Sequence, residues 1–540
     1  MVEDNNDVER HLAPTFDRKG NADWRSSMSS PDNSIAVIPM VPDRIIPVIF
    51  VPGIMGSNLH GIGGSKGVDW RLDSGSSMKG WLVRGPEARK RHLVPSHMEV
   101  DPGGAIPDGT QQQSEELRRR GWGEVGAMSY APFLVWLENA LNDHEAAKGG
   151  LRDLLIGQAL GASKGEAPLG KEAVSLSYRY RFPVHACGYN WLDSNAVAAK
   201  RLKLRIDRVI ARYRAERKRC EKVIVVTHSM GGLVARHCSE VLGMGDKIFG
   251  VVHGVMPAIG AAAVYRRFKS GTEGDWIPSE ILGNDAAEMT AVMSSAPGPL
   301  QLLPTPEYGN HWLKIKDGAH EYSFPKTGDP YGEIYTVRGK WWSMCDDQLA
   351  NPLNREINST RRQAQVNIDW AVFAKLVNDD VKDFHTQIAG KYHPTTHAFY
   401  GSSRAHRAYG TVTWTGSDSA GEGWWRGDRP ADVLNADALN PGDIKTTRNV
   451  ASRLGGEGWK QGINQTYTIS EPDESGDGTV PNRSGVAPTS HVQSLLQVSV
   501  EHEPAFNHTK GADNLHACRF TLRSIVQIAQ AVQDTSLKYE

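Results

Sequence analysis

The apolar positions of this chain gather into a few short unbroken runs, set between long polar, glycine-rich stretches. Ile45 to Val51 is one such run, interrupted by Pro47 and closed by Pro52-Gly53. Val223–Thr227 is a second and Phe249–Pro257 a third, with a shorter one in Pro183–Trp191. Runs apolar on both faces predict strands of a parallel sheet covered by helices. Between them the period changes to that of a helix. Phe133, Leu137 and Leu141 share one face of Ser129–Asn142, with Ser129 as the candidate cap. Leu202, Ile206, Val209, Ile210 and Tyr213 do the same within Asn195–Arg219. The succession β, α, β, α, β predicts a right-handed, doubly covered parallel sheet.

Elsewhere the pattern is weaker. Residues 1–33 are polar without apolar period and predict a disordered tail. Residues 60–125, rich in Gly, Pro, Ser and Trp, read as an excursion from the core. From about 272 the rhythm changes. Asn367–Ile388 predicts a helix with Trp370, Phe373, Val377, Val381 and Phe384 on one side. Strand signal returns at residues 396–414 and at Gln465–Ser470, with the glycine- and tryptophan-rich loop 417–432 between them, and Arg519–Val532 reads as a closing helix. The expected division is a core at 34–271, an insertion at 272–395 and the rest of the core at 396–540. Trp341-Trp342, Trp424-Trp425 and the Trp370 face would make an apolar surface if exposed; most are expected to pack that region's own core.

Composition narrows the function. The 540 residues carry 61 basic and 62 acidic side chains, a net charge of −1, which gives no footprint for nucleic acid. Nine basic residues crowd Arg201–Arg219, but the apolar face there predicts an amphipathic helix with a solvated basic back. Five scattered cysteines make no disulfide framework and suggest synthesis in a reducing cytosol. The polar N-terminus lacks a signal peptide's apolar segment, and no run is long enough to span a bilayer. The expectation is a soluble protein made in the cytoplasm, leaving the cell, if it does, without a cleaved signal. His393 and His397 have helical metal-ligand spacing, yet Pro394 argues against a helix, so no metal is expected.

The chemistry gathers at VIVVTHSMGGLVAR, Val223–Arg236. A strand that turns abruptly at Ser229 into a helix has the form of a nucleophile elbow. It exposes a serine hydroxyl and sets the next N–H group at a helix start, where an oxyanion can be held. Gly231 fits the small-residue requirement two positions on; Thr227 stands where glycine is usual. A serine needs a base and an acid to orient that base, in the chain order Ser, Asp, His. Asp477 lies in the glycine-bracketed turn GDGTVP after the strand Gln465–Ser470. His502 follows the apolar run LLQVSV directly and is preferred to His508 and His516. His228 points the wrong way from an elbow to be the base. The turn VPGIMGSNL, Val51–Leu59, offers the Ile54 or Met55 N–H as the second oxyanion donor.

At these residues the chain resembles α/β-hydrolase lipases of the lecithin:cholesterol acyltransferase and GPI inositol-deacylase type, above all bacterial phospholipase effectors of type VI secretion. PVIFVPGIMGSNL, ACGYNWLDSN, VIVVTHSMGGLVAR, SGDGTVP and EHEPAF stand in that group's order, from about 48 to 506. The resemblance implies an α/β-hydrolase fold with a mainly parallel sheet and large cap insertions, residues 272–395 among them. It implies Ser229 as nucleophile, Asp477 as orienting acid, His502 as base and Met55 and Met230 as oxyanion donors. It further implies cofactor-free hydrolysis of acyl esters in glycerophospholipids at a membrane. Partners expected for such an effector are an immunity protein over the active-site mouth and a secretion-machinery tip protein. Its expected destination is a target cell's periplasm or membrane. Two rival readings are a lipid acyltransferase using the same triad and a non-catalytic binding scaffold.

Overall fold

In the computed structural model the apolar runs become one parallel sheet. The residues described are 9–24, 35–38, 40–143, 149–272, 283–317, 320–418, 433–435, 437–438, 445–453 and 460–539. The strands are β1 (Val48–Val51), β2 (Val184–Ala186), β3 (Val223–His228), β4 (Ile248–Gly254), β7 (Thr396–Gly401) and β14 (Ser494–Val498). They lie in the order β14-β7-β4-β3-β1-β2, every neighbouring pair parallel. Residues of β1, β3 and β4 are buried without exception, as runs lacking polar alternation require when helices cover both faces. The expected α/β-hydrolase sheet is therefore present.

The covering helices follow their apolar faces. Helix α2 (Asn195–Ala215) is capped by Ser194, whose side chain accepts the Ala196 N–H. It buries Leu202, Ile206, Val209, Ile210 and Tyr213, each contributing about 1.5–3 kcal/mol. Its basic back is only partly solvated. Arg201 and Arg205 pair with Glu124, and Arg212 reaches the buried Glu116 at 2.7 Å. Helix α1 (Ala127–Leu141) begins two residues before Ser129 and has no side-chain cap. It is tied to β2 because Glu138 accepts the Val184 N–H at 2.8 Å and pairs with the buried Arg120 at 3.0 Å. The closing helix α6 (Ala512–Ala529) buries Phe520, Leu522, Ile525 and Val526.

Two expectations about organisation need correction. The core does not resume unbroken at 396. The chain enters β7, leaves again after Gly401 and regains the central sheet only at β14. Both excursions build a second, six-stranded sheet. The first supplies β5 (Leu313–Asp317) and β6 (His320–Phe324). The second supplies β9 (Val412–Asp418), β10 (Asp437–Ala438), β11 (Lys445–Arg453) and β12 (Lys460–Ile469). Their order is β6-β5-β9-β12-β11-β10. The cap is thus woven from two insertions, and the strand expected at Gln465–Ser470 belongs to it.

Trp341 packs on Trp414 with ring centroids 5.4 Å apart, and Trp342 stacks on Phe324 at 4.5 Å. Trp370 is buried on α5 (Ser359–Lys375). These aromatics fill the cap interior; Trp424 and Trp425 lie outside the described residues. The second correction concerns the tail, since Thr15–Phe16 and Ala22–Asp23 pair as a hairpin. Asp17 Oδ1 accepts the Lys19 and Asn21 N–H groups to make its turn, and Phe16 is buried. The few apolar residues of this stretch recur at neither helical nor strand spacing, so the pattern missed it.

Candidate active site

Strand β3 delivers its last residues into a strained turn. Ser229 adopts φ 49°, left-handed for a non-glycine residue, and its N–H donates to the Gly254 carbonyl at 2.9 Å. Helix α3 (Gly231–Arg236) starts two residues later. A Cβ on Gly231 would lie 2.5 Å from the carbonyl oxygens of both Val51 and Pro52, so only glycine lets α3 start this close to β1. Thr227, the departure from the usual glycine, is accommodated by its neighbour strand. It sits opposite His253 in the β3–β4 register, and its Oγ1 pairs with His253 Nδ1 at 2.8 Å. Burial presses the His253 pKa down to about 3, so this imidazole is a neutral structural partner.

The residues singled out as acid and base meet Ser229. His502 Nε2 lies 2.8 Å from Ser229 Oγ, and His502 Nδ1 lies 2.9 Å from Asp477 Oδ2. Asp477 is fixed from three sides. Its Oδ1 accepts the Thr479 and Val480 N–H groups at 3.0 and 2.7 Å, and its carbonyl accepts the His502 N–H at 2.8 Å. It rests on Gly401 at the end of β7, where a Cβ would come within 2.5 Å of Asp477 Cβ. The second insertion thus hands its return loop back to the sheet at the place where the acid is needed.

Burial by itself would lower the His502 pKa, but the Asp477 carboxylate and its hydrogen bond outweigh it and hold the imidazole above its ordinary value. Glu503 adds to that support. Its own carboxyl is pushed up to about 7 by burial first, with the Asp477 charge acting the same way.

The oxyanion candidates are Met55 and Met230. Gly53 to Gly56 closes a turn through the Gly56 N–H and Gly53 carbonyl, and Met55 takes φ 62° within it. The Trp70 indole donates to the Met55 carbonyl at 3.0 Å and turns that oxygen away. Among the described residues the N–H groups of Ile54, Met55 and Met230 find no acceptor, so all three remain able to donate. Met55, Ile54, Ser229, Asp477 and His502 line a cleft of about 600 Å³. Pro257, Ala261, Val264 and Leu302 give it an apolar wall. Arg267 and Arg407 bring positive charge to the lining, with His406, Glu501 and Glu503 beside them. His406 and Arg407 come from β8 (Ser403–Ala408), which the Gly478 N–H ties to the acid loop through the His406 carbonyl at 3.0 Å.

The rival histidines fall elsewhere. His508 lies beside Trp136, and His516 Nε2 bonds the Leu160 carbonyl at 2.7 Å. His393 and His397 are buried; His397 pairs with Ser494 Oγ at 2.7 Å, and no group of three metal-type ligands occurs among the described residues. Reading the sequence did not find Tyr130 or the task of His228. Their link spans 98 positions, and no local pattern joins them.

The array can move a proton from Ser229 Oγ to His502 and hold the imidazolium against Asp477. Comparison with known proteins supports the fold and a hydrolase of lipase type. A family model described as a PGAP1-like alpha/beta domain matches residues 193–254, the segment holding Ser229 but neither Asp477 nor His502. Over 90% of its length the chain is similar to a chain in the crystal structure of the Tle4-Tli4 complex, at 27% identity and a TM-score of 0.70, covering 98% of that chain. No curated protein matches. The two findings bear out the resemblance carried by the motifs.

Proposed function

We propose that this α/β-hydrolase is a serine lipase that cleaves acyl esters of glycerophospholipids through an acyl-enzyme on Ser229. The observation that carries the reading is the unbroken array Asp477–His502–Ser229 on the floor of an open cleft. His502 takes the hydroxyl proton as Ser229 attacks the ester carbonyl. The oxyanion is received by the N–H of Met230 and that of Met55. His502 then returns the proton to the leaving alcohol, and water, activated by the same imidazole, releases the acid. Asp477 keeps the proton on His502 Nδ1, which leaves Nε2 free to act as base.

The cleft lining supports a phosphate-bearing lipid. The wall of Ala261, Val264 and Leu302 suits an acyl chain, and the cations Arg267 and Arg407 in the same lining suit a phosphodiester. The similar structure is a complex of Tle4 with Tli4, which supports a protein partner for this chain; in this reading that partner is an immunity protein lying over the cleft. In this reading the protein is an effector, carried on a secretion-machinery tip protein to the membrane of a target cell.

The test is hydrolysis of position-labelled phosphatidylglycerol and of diacylglycerol by the purified chain, with products identified by mass spectrometry. Labelled fatty acid is expected from the phospholipid. Arg407→Ala is expected to lower kcat/KM on phospholipid about 10-fold, the worth of one charge-assisted hydrogen bond, and to change diacylglycerol turnover by less than about 3-fold. Hydrolysis of diacylglycerol alone would contradict the phospholipid assignment.

A further inference from the structure

Beside the triad, buried groups that the mechanism does not use form one hydrogen-bonded chain. The Gly53 N–H lies 3.0 Å from Tyr130 Oη, Tyr130 Oη lies 2.9 Å from His228 Nδ1, and His228 Nε2 lies 2.9 Å from the His502 carbonyl oxygen. Tyr130 and His228 are each 1% exposed, so water does not compete for these contacts. The polarity of the chain follows from its two ends. A carbonyl only accepts, so His228 Nε2 carries the hydrogen. Nδ1 of the neutral ring is then a lone pair, and the Tyr130 hydroxyl must donate to it. The Gly53 N–H only donates, and it takes the remaining side of Oη. Every group is used once, in one direction. Burial, and secondly the charge of His502, hold the His228 pKa down to about 3, so the ring stays neutral while His502 cycles.

Space is as constrained as hydrogen bonding. A Cβ on Gly53 would sit 2.8 Å from His228 Nδ1, and one on Gly56 2.6 Å from Tyr130 Oη. The turn that carries Ile54 and Met55 is therefore seated directly on these two rings. Helix α1, which presents Tyr130, is itself anchored through Glu138 to β2. At the other end, the His502 carbonyl belongs to the residue whose imidazole faces Ser229.

We propose that Tyr130 and His228 are positioning residues that lock the oxyanion turn to the backbone of the base, so that the N–H donors and the imidazole keep one geometry around Ser229. Neither touches substrate. Each acts only when charge develops on the ester oxygen and on His502, so losing either slows chemistry and leaves substrate binding intact. A displacement of about 1 Å in such an arrangement is enough to cost about 100-fold in rate. The proposal rests on the serine-hydrolase reading of the site and is independent of the lipid assignment.

The experiment compares the full chain with Tyr130→Phe, His228→Gln and the double variant on p-nitrophenyl butyrate, a soluble ester for which headgroup and membrane are irrelevant. Each single variant is expected to lose about 10- to 100-fold in kcat, with KM within about 3-fold. The double variant is expected to fall no more than about 3-fold below the worse single one, because one broken link already frees the turn. Losses that multiply, or an unchanged kcat in variants with a wild-type thermal melt, would overturn the proposal. A second readout needs neither turnover nor a stable variant. ¹⁵N NMR of histidine-labelled wild type is expected to show His228 as the Nε2–H tautomer, with no titration between about pH 5 and 9. An Nδ1–H tautomer or a titration in that range overturns the chain of bonds. If wild type cleaves no ester while His228 shows the expected tautomer, the hydrolase reading fails and the hydrogen-bonded chain stands.

Discussion

Ser229→Ala is expected to lower kcat on a short acyl ester by at least about 10⁴-fold and to leave binding to phospholipid vesicles within about 3-fold of wild type. The magnitude follows from what the hydroxyl does. Without Oγ no covalent intermediate forms, and His502 has no proton to take. What remains is the contribution of oxyanion donors and binding, about 10³–10⁴ over water in serine hydrolases. The substitution removes one atom from a buried position that is 3% exposed. The Ser229 N–H to Gly254 bond and the left-handed backbone are retained by alanine, so fold and cleft persist. Steady-state kinetics with a vesicle-sedimentation control checks both halves. A loss of less than about 10-fold would place the nucleophile elsewhere.

The second large effect belongs to Asp477→Asn. The asparagine amide oxygen can keep the Thr479 and Val480 N–H bonds that Oδ1 accepts now. Its NH₂ then faces His502 Nδ1, which must become an acceptor. The imidazole is forced into the tautomer with hydrogen on Nε2, aimed at Ser229 Oγ, and is useless as a base. A loss of about 10³–10⁴-fold near neutral pH is expected, worth about 4–5.5 kcal/mol of barrier.

The pH profile supplies a second signature. In wild type the base must be neutral, so activity falls as pH drops through the His502 pKa, which Asp477 and Glu503 hold above the ordinary histidine value against the pull of burial. Glu503, whose carboxyl is pushed up to about 7 mainly by burial, also raises the His502 value through its charge, so the acidic limb belongs to the pair. Remove the Asp477 charge and burial prevails: the limb moves to lower pH as the maximum rate collapses. Measuring kcat/KM from about pH 5 to 9 for both proteins decides it. A variant limb that stays in place would mean Asp477 does not set the His502 charge.

Much of this site was legible because its parts are local. An apolar β-branched run, a serine and a glycine two residues on can only be a strand feeding a helix through a tight turn, and that is what Val223–Gly231 forms. Asp477 and His502 each sit in a short loop whose glycines or preceding strand mark it. The cap was harder. Its sheet joins Leu313–Asp317 to Val412–Asp418 across roughly a hundred residues, and no local pattern announces so distant a partner. Residues 396–414 read correctly as strands, yet nothing local says that Thr396–Gly401 belongs to one sheet and Val412–Asp418 to another. The basic face of Arg201–Arg219 was read as solvated because Glu116 and Glu124 lie far back in the chain. The Tyr130–His228 contact was hidden in the same way.

The central claim is that Ser229, and no other residue, forms the covalent intermediate at this cleft. The most direct measurement is intact-mass and peptide mass spectrometry after reaction with a long-chain fluorophosphonate, for wild type beside Ser229→Ala. The account predicts one phosphonyl group per chain, on the peptide containing Ser229, with parallel loss of ester hydrolysis, and no adduct on the variant. An adduct on another residue, or ester hydrolysis that survives full modification of Ser229, would contradict it.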